Sequence, residues 1–170
     1  MRFVRLAIIS FVMLFLVIWG LSLFIPSHIR LSKAINVKAS KDSVMLMLKD
    51  PANWRYWYPG LDSAKPMYTQ GVLTGMIINN SDTSHPVYIS KIKEDNEEVT
   101  AHFLGNNMNP VVNVWKTIEH PTSDSLTLQW YMDFDLRWYP WEKFSSIALE
   151  KSYAPKMEQG LSNLKKRVEN

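Results

Sequence analysis

Cysteine is absent from the 170-residue chain. Its absence excludes a disulfide scaffold, a thiolate metal site, an iron–sulfur cluster and a cysteine nucleophile. It leaves the compartment open, because a cysteine-free chain is stable in either redox state. Glycine is scarce, with six scattered residues. They form no G-x-S-x-G, P-loop or dinucleotide fingerprint, so nucleotide binding through a glycine loop has no support. His28, His85, His102 and His120 are dispersed and make no HxH or HExxH pair. A metal site needs three or four ligands in one place, so neither a metal nor another cofactor is expected. A marked excess of one charge sign is also missing. The net charge of +3 arises from 19 Lys and Arg against 16 Asp and Glu, and without Arg2 and Arg5 the balance is 17 to 16. Such a chain lacks the footprint for phosphate backbones, which excludes nucleic acid as a partner.

What the chain does contain is a long apolar run. Residues 6–25, LAIISFVMLFLVIWGLSLFI, carry no charge over twenty positions. A helix of that length spans the ~30 Å hydrocarbon core of a bilayer. Arg2 and Arg5 precede it, Trp19 lies toward its far end and Pro26 closes it. The first reading is a single membrane-spanning anchor over residues 1–27, with the rest, 28–170, as one domain held close to the bilayer. A cleaved signal peptide is the main rival, because Gly20 and Ser22 place small residues before a possible cleavage point. Against it, the apolar run continues through Leu23, Phe24 and Ile25. A buried core helix is a third reading. The basic groups tie across the span: Arg2, Arg5 and the α-amino group on one side, Arg30, Lys33 and Lys38 on the other. The short basic start favours an extracytoplasmic domain.

Residues 28–170 are enough for one core. Positions 29–37 alternate, with Ile29, Leu31, Ile35 and Val37 on one face and Lys33 as the exception there, which predicts a strand. Ser40 caps a short helix over 41–49. Asp50–Pro51, an N-cap followed by proline at the first helical position, opens a second helix that carries Trp54, Trp57 and Tyr58 and ends at Pro59–Gly60. Short strands follow over 64–70, 72–78, 87–93, 99–104 and 111–119, with turns at 94–97 and 121–124. Residues 125–138 alternate strictly. Leu126, Leu128, Trp130, Met132, Phe134, Leu136 and Trp138 share one face, and Tyr131, Asp133, Asp135 and Arg137 lie on the other. This predicts a long antiparallel strand with one buried face. Pro140 then starts a C-terminal helix whose Met157, Leu161, Leu164 and Val168 recur at helical spacing, with a kink or split expected near Ala154 because of Pro155.

The order is strand, two short helices, six or so further strands and a long helix. It predicts an α+β domain in which a curved antiparallel sheet of about six to seven strands wraps the C-terminal helix. The segments KASKDSVMLMLKDPANWRYWYPG, SLTLQWYMDFDLRWYPWEKF and PKMEQGLSNLKK resemble the corresponding parts of the START-like or SRPBCC superfamily, the polyketide cyclase/dehydrase and lipid-transport group. The resemblance covers residues 29–169. It implies the helix-grip fold and an apolar cavity between sheet and helix, in a superfamily that includes lipid carriers, metabolite binders and aromatase/cyclases. Its motifs speak for architecture and hardly for chemistry.

Aromatic residues are the informative ones. The candidate ligand-binding residues are Trp54, Trp57, Phe103, Trp115, Trp130, Met132, Phe134, Tyr153, Met157 and Leu161. They are large, adaptable side chains suited to a small hydrophobic molecule or lipid, and the same residue types equally suit a filled core. Binding without catalysis is therefore the first reading. An interaction module with a filled cavity comes second. A cyclase- or aromatase-like enzyme comes third, with Lys33, Asn113 and Tyr153 as its only inward polar candidates. Asp133 and Asp135 share the outward face of their strand, so the pair is read as solvated. Tyr131 and Trp138–Tyr139–Pro140–Trp141 are read as an aromatic ledge suited to a membrane interface. The Asn79-Asn80-Ser81 triplet is a glycosylation sequon that matters only in a eukaryotic secretory context. The oligomeric state is left open.

Overall fold

The computed structural model describes residues 2–78, 87–105, 109–121 and 125–170. The Asn79-Asn80-Ser81 triplet, His85 and most of the 121–124 turn lie outside the described residues. The elements are α1 (Arg2–Ser22), β1 (His28–Val37), α2 (Lys41–Lys49), α3 (Pro51–Trp54), β2 (Lys65–Thr69), β3 (Val72–Ile78), β4 (Val87–Glu94), β5 (Glu98–Leu104), β6 (Val111–Glu119), β7 (Leu126–Asp135), α4 (Pro140–Ser145), a 3-10 turn (Ser146–Ala148) and α5 (Leu149–Val168). One antiparallel sheet runs in the order β1-β7-β6-β5-β4-β3-β2, and α5 packs on β1 and β7. This is the helix-grip arrangement.

α1 is long and apolar enough to cross a membrane, and none of its apolar window is buried. That overturns the core-helix reading. The remaining alternation is realised as expected. Leu126, Leu128, Trp130, Met132 and Phe134 are buried on one face of β7. Asp133 and Asp135 point outward, where Arg30 grips Asp133 through two hydrogen bonds of 2.7 and 2.8 Å and His28 meets Asp135 at 2.8 Å. Pairs this exposed contribute at most about 1 kcal/mol each.

Three expectations about element ends are corrected. β7 stops at Asp135, so Leu136 and Trp138 leave the strand face. The reason is its partner. Asp135 faces His28, the first residue of β1, and Leu136 N–H still donates to the Ser27 carbonyl at 2.7 Å; the next ladder partner would be Ile25, but its N–H donates to Ser22 and its carbonyl accepts from Lys143 Nζ. The second short helix closes after Trp54, and Trp57 and Tyr58 lie in the turns that follow. The C-terminal helix is interrupted at Ser146–Ala148 and not at Ala154, and Pro155 sits inside α5. Lys151, whose carbonyl loses its helical donor to Pro155, is exposed, as is Pro155 itself, so water can satisfy that carbonyl.

Candidate functional site

The Trp-rich segment is held by the end of α2. A helix leaves its last carbonyls without partners. Here Asn53 Nδ2 donates to the Leu46 carbonyl (3.1 Å), Trp57 Nε1 to Met47 (3.2 Å) and Trp54 Nε1 to Leu48 (2.7 Å). The Asp50 carboxylate accepts from Ala52 N–H at 2.9 Å and starts α3 in the right place to make this possible. These bonds plant two indoles under the sheet. Trp54, Trp57, Tyr58, Trp115 and Trp130 pack as one cluster, with ring centroids 5.0–6.2 Å apart in tilted and edge-on pairs. Trp130 Nε1 donates to Asn113 Oδ1 at 3.1 Å, and Asn113 is fully buried.

Beside this cluster is a cavity of about 300 Å³ lined by Tyr58, Pro59, Gly60, Ile78, Val87, Phe103, Trp130, Met132, Tyr153, Lys156 and Met157. It reaches the surface where Gly60 and Lys156 are exposed. Of the sequence-derived candidates, Phe103, Trp130, Met132, Tyr153 and Met157 line it together. Trp54, Trp57 and Trp115 lie behind its wall as packed core, and Leu161 is buried without lining it. Phe134 lines a second cavity of about 250 Å³ formed with Leu136, Ser146 and Leu149. Its ring meets that of Tyr153 at 5.0 Å, so this pair stands between the two cavities. Tyr58, Pro59, Gly60, Ile78, Val87 and Lys156 were missed. Tyr58 and Pro59–Gly60 carried a usable signal, since they follow the Trp pair directly. Ile78 and Val87 gave none, because their inward direction depends on sheet curvature.

The polar candidates do not assemble. Lys33 leaves the cavity to pair with Glu158 of α5 at 2.8 Å, and Asn113 is committed to Trp130. Only Tyr153 lines the cavity, together with Tyr58 and Lys156. Neither phenol has a hydrogen-bond partner among the described residues, so both hydroxyls are available to a ligand. No group of three His, Asp or Glu side chains that could hold a metal occurs among the described residues.

Burial pushes the Tyr58 phenol well above its ordinary range, with a smaller contribution from Tyr153, and burial raises Tyr153 too. The neutral phenol is thus favoured by folding. Below about pH 10 both folded and unfolded chains keep the proton and Tyr58 adds no pH dependence. Above that, the unfolded chain releases it first, and stability falls by up to about 1.4 kcal/mol per pH unit. Tyr58→Phe is expected to flatten this alkaline loss in urea titrations between pH 8 and 11. An unchanged slope would show that Tyr58 titrates freely.

Comparison with known proteins agrees with this architecture. The family model for polyketide cyclase/dehydrase and lipid transport matches residues 28–169. Among curated proteins, no sequence matches the chain. The aromatase/cyclase Zhui from Streptomyces sp. R1128 is similar in structure, with a TM-score of 0.62 at 13% identity, covering 84% of this chain and 94% of that one. A START superfamily protein from Mycobacterium smegmatis gives 0.61 at 17% identity over 82% and 97%. Norcoclaurine synthase from Thalictrum flavum gives 0.61 at 13% identity over 83% and 86%. At these identities the likeness establishes the fold alone, and the match over residues 28–169 establishes the family: the chain belongs to the polyketide cyclase/dehydrase and lipid transport family.

Proposed function

We propose that this chain is a membrane-tethered, non-catalytic domain that binds one small hydrophobic molecule or lipid between its sheet and α5. The observation that carries the reading is the cavity of about 300 Å³, walled by Phe103, Trp130, Met132 and Met157, with Tyr58, Tyr153 and Lys156 as its polar groups. Small-molecule sites combine an apolar lining with a few placed polar groups, and their volumes run from roughly 300 to 1,000 Å³. This cavity stands at the low end, which favours a single ring system or one chain over a two-chain lipid. The two unpartnered phenols favour a ligand that brings an oxygen acceptor.

The tether is α1, and the domain lies on the extracytoplasmic side. Support for that side comes from the short basic start, Arg2 and Arg5, ahead of the apolar helix. Protease added outside intact cells is expected to cut the domain, and full protection would reverse the orientation.

The full chain, purified from its own host into lipid nanodiscs, is expected to carry one stoichiometric ligand by native mass spectrometry, identified after organic extraction. A chain that is empty, and that binds no hydrophobic dye saturably, would overturn the binding reading.

A further inference from the structure

Outside α1 and its exit turn, exposed large apolar residues are mostly scattered singly, but four of them fall within residues 138–147. Trp138 is 66% exposed, Trp141 64% and Ile147 70%, and Phe144 is also exposed. Tyr139 joins the run, stacked on Trp141 at 4.9 Å and tilted against Trp138 at 4.8 Å. Tyr131 is not part of it. That ring lies mid-strand beneath the Arg30 guanidinium, 4.4 Å from its centroid.

This ledge sits where α1 leaves the membrane. α4 packs against α1. The buried Lys143 of α4 donates from Nζ to the Ile25 carbonyl at 3.0 Å, and Leu136 N–H donates to Ser27 at 2.7 Å. The connection itself is short and bonded. Leu23, Phe24 and Ile25 each donate back three residues, to Gly20, Leu21 and Ser22, and β1 begins at His28. Leu23 and Phe24 are exposed as well, Phe24 at 87%. Trp19, three residues before the end of α1, completes the set. Tryptophan and tyrosine concentrate at the boundary between acyl chains and water, where an apolar ring with one polar edge is best accommodated.

We propose that residues 138–147 dock on the bilayer that α1 crosses, inserting Trp138, Trp141, Phe144 and Ile147 into its interface. The domain is then fixed to the membrane at two points, the span and the ledge. The second cavity, whose lining includes Leu136, Glu142, Ser145 and Ser146, lies beside this contact. The proposal rests on the reading of α1 as a span, because it is α1 that brings a bilayer to this end of the sheet. The occupant is the lipid surface and not a second protein, since the ledge continues the apolar surface of α1 and its exit turn.

The absence of cysteine makes the test clean, since any introduced cysteine is the only label site. Ile147→Cys, Val12→Cys and Asn96→Cys would each be made in the full chain, spin-labelled, and reconstituted in phosphatidylcholine nanodiscs. Val12 lies in α1. Asn96 lies in the β4–β5 turn toward the far end of the sheet, the end reached by the ~30 Å run of β1 away from the membrane exit. Depth is read from collisions with oxygen, which partitions into lipid, against a water-soluble nickel chelate. The labels at 147 and 12 are expected to favour oxygen and that at 96 to favour nickel. Adding Trp138→Ser and Trp141→Ser should move the label at 147 toward the aqueous profile. An aqueous profile at 147 with a lipid profile at 12 would overturn the ledge and leave the span standing. Shielding of 147 from both reagents would assign the ledge to a protein contact and overturn the proposal. An aqueous profile at 12 would remove the span and the ledge together.

Discussion

Replacing Trp115 by alanine is expected to cost about 3–5 kcal/mol of folding stability, the range for buried Trp or Phe truncation. Trp115 is the hub of the aromatic cluster. Its ring lies 5.4 Å from both Trp54 and Trp57, 5.9 Å from Trp130 and 6.2 Å from Tyr58. Truncation opens a void that none of these rings can fill, because three of the four are pinned by an indole hydrogen bond. A domain of this size has only about 5–15 kcal/mol in total, so the variant sits near the edge of folding. Phenylalanine gives the sharper comparison. The Trp115 indole N–H is buried without a partner among the described residues, a cost in the native protein. Trp115→Phe removes that donor along with some packing. Trp54→Phe instead strands the Leu48 carbonyl, which accepts at 2.7 Å. Urea midpoints should therefore fall in the order Trp115→Phe, Trp54→Phe, Trp115→Ala. A Trp115→Phe variant weaker than Trp54→Phe would mean that the Trp115 N–H has found a partner.

The same cluster shows what the amino-acid sequence could reveal. Strict alternation over residues 126–134 identified the inward face of β7, because a pleat admits only two directions. Helical spacing identified Met157, Leu161 and Leu164, all buried on α5. The places where the pattern misled are those where a partner and not propensity decides. β7 lost its last three residues because β1 starts at His28 and Ile25, the next ladder partner, has both its backbone groups bonded elsewhere. Pro155 stayed within α5, where it and Lys151, whose carbonyl it orphans, are both exposed residues, while the real interruption fell at Ser146–Ala148, a stretch with no helix-breaking residue.

The lining of the candidate cavity was half legible for a related reason. Phe103, Trp130, Met132, Tyr153 and Met157 line it because they lie on inward faces. Trp54, Trp57 and Trp115 lie on inward faces too, yet they are core. Wall and core are built from the same side chains, and only depth separates them. Depth here is set by Asn53, Trp54 and Trp57 reaching the α2 carbonyls, which pulls the first two indoles of the segment inward and leaves Tyr58, Pro59 and Gly60 at the cavity. Gly60, at a φ of 89°, supplies the left-handed turn that ends the segment. No residue-by-residue pattern encodes that displacement.

Gly160→Ala tests whether the close approach of α5 to this wall shapes the cavity. In an exposed helix interior the change would stabilise by about 1 kcal/mol, since alanine restricts the unfolded chain. Here the new Cβ would stand 2.7 Å from Trp130 Cζ3 and 3.0 Å from Pro59 Cδ. Neither can yield easily. Trp130 is bonded to Asn113 and packed among Trp57, Tyr58 and Trp115, and Pro59 is a rigid ring. Overpacking of this kind costs about 1–3 kcal/mol, enough to outweigh the helix gain. Both residues also line the cavity, so α5 must lift or the wall must shift. The expected result is a lower urea midpoint together with, on the binding reading proposed above, roughly a tenfold weaker hold on a hydrophobic dye. Gln159→Ala, exposed on the same helix, should leave stability within about 0.5 kcal/mol and dye binding unchanged. A Gly160→Ala protein that is more stable and holds the dye as tightly would mean that α5 has room to move away from the sheet. The glycine would then serve the helix alone, and the cavity would be bounded by something other than the contact of Gly160 with Trp130.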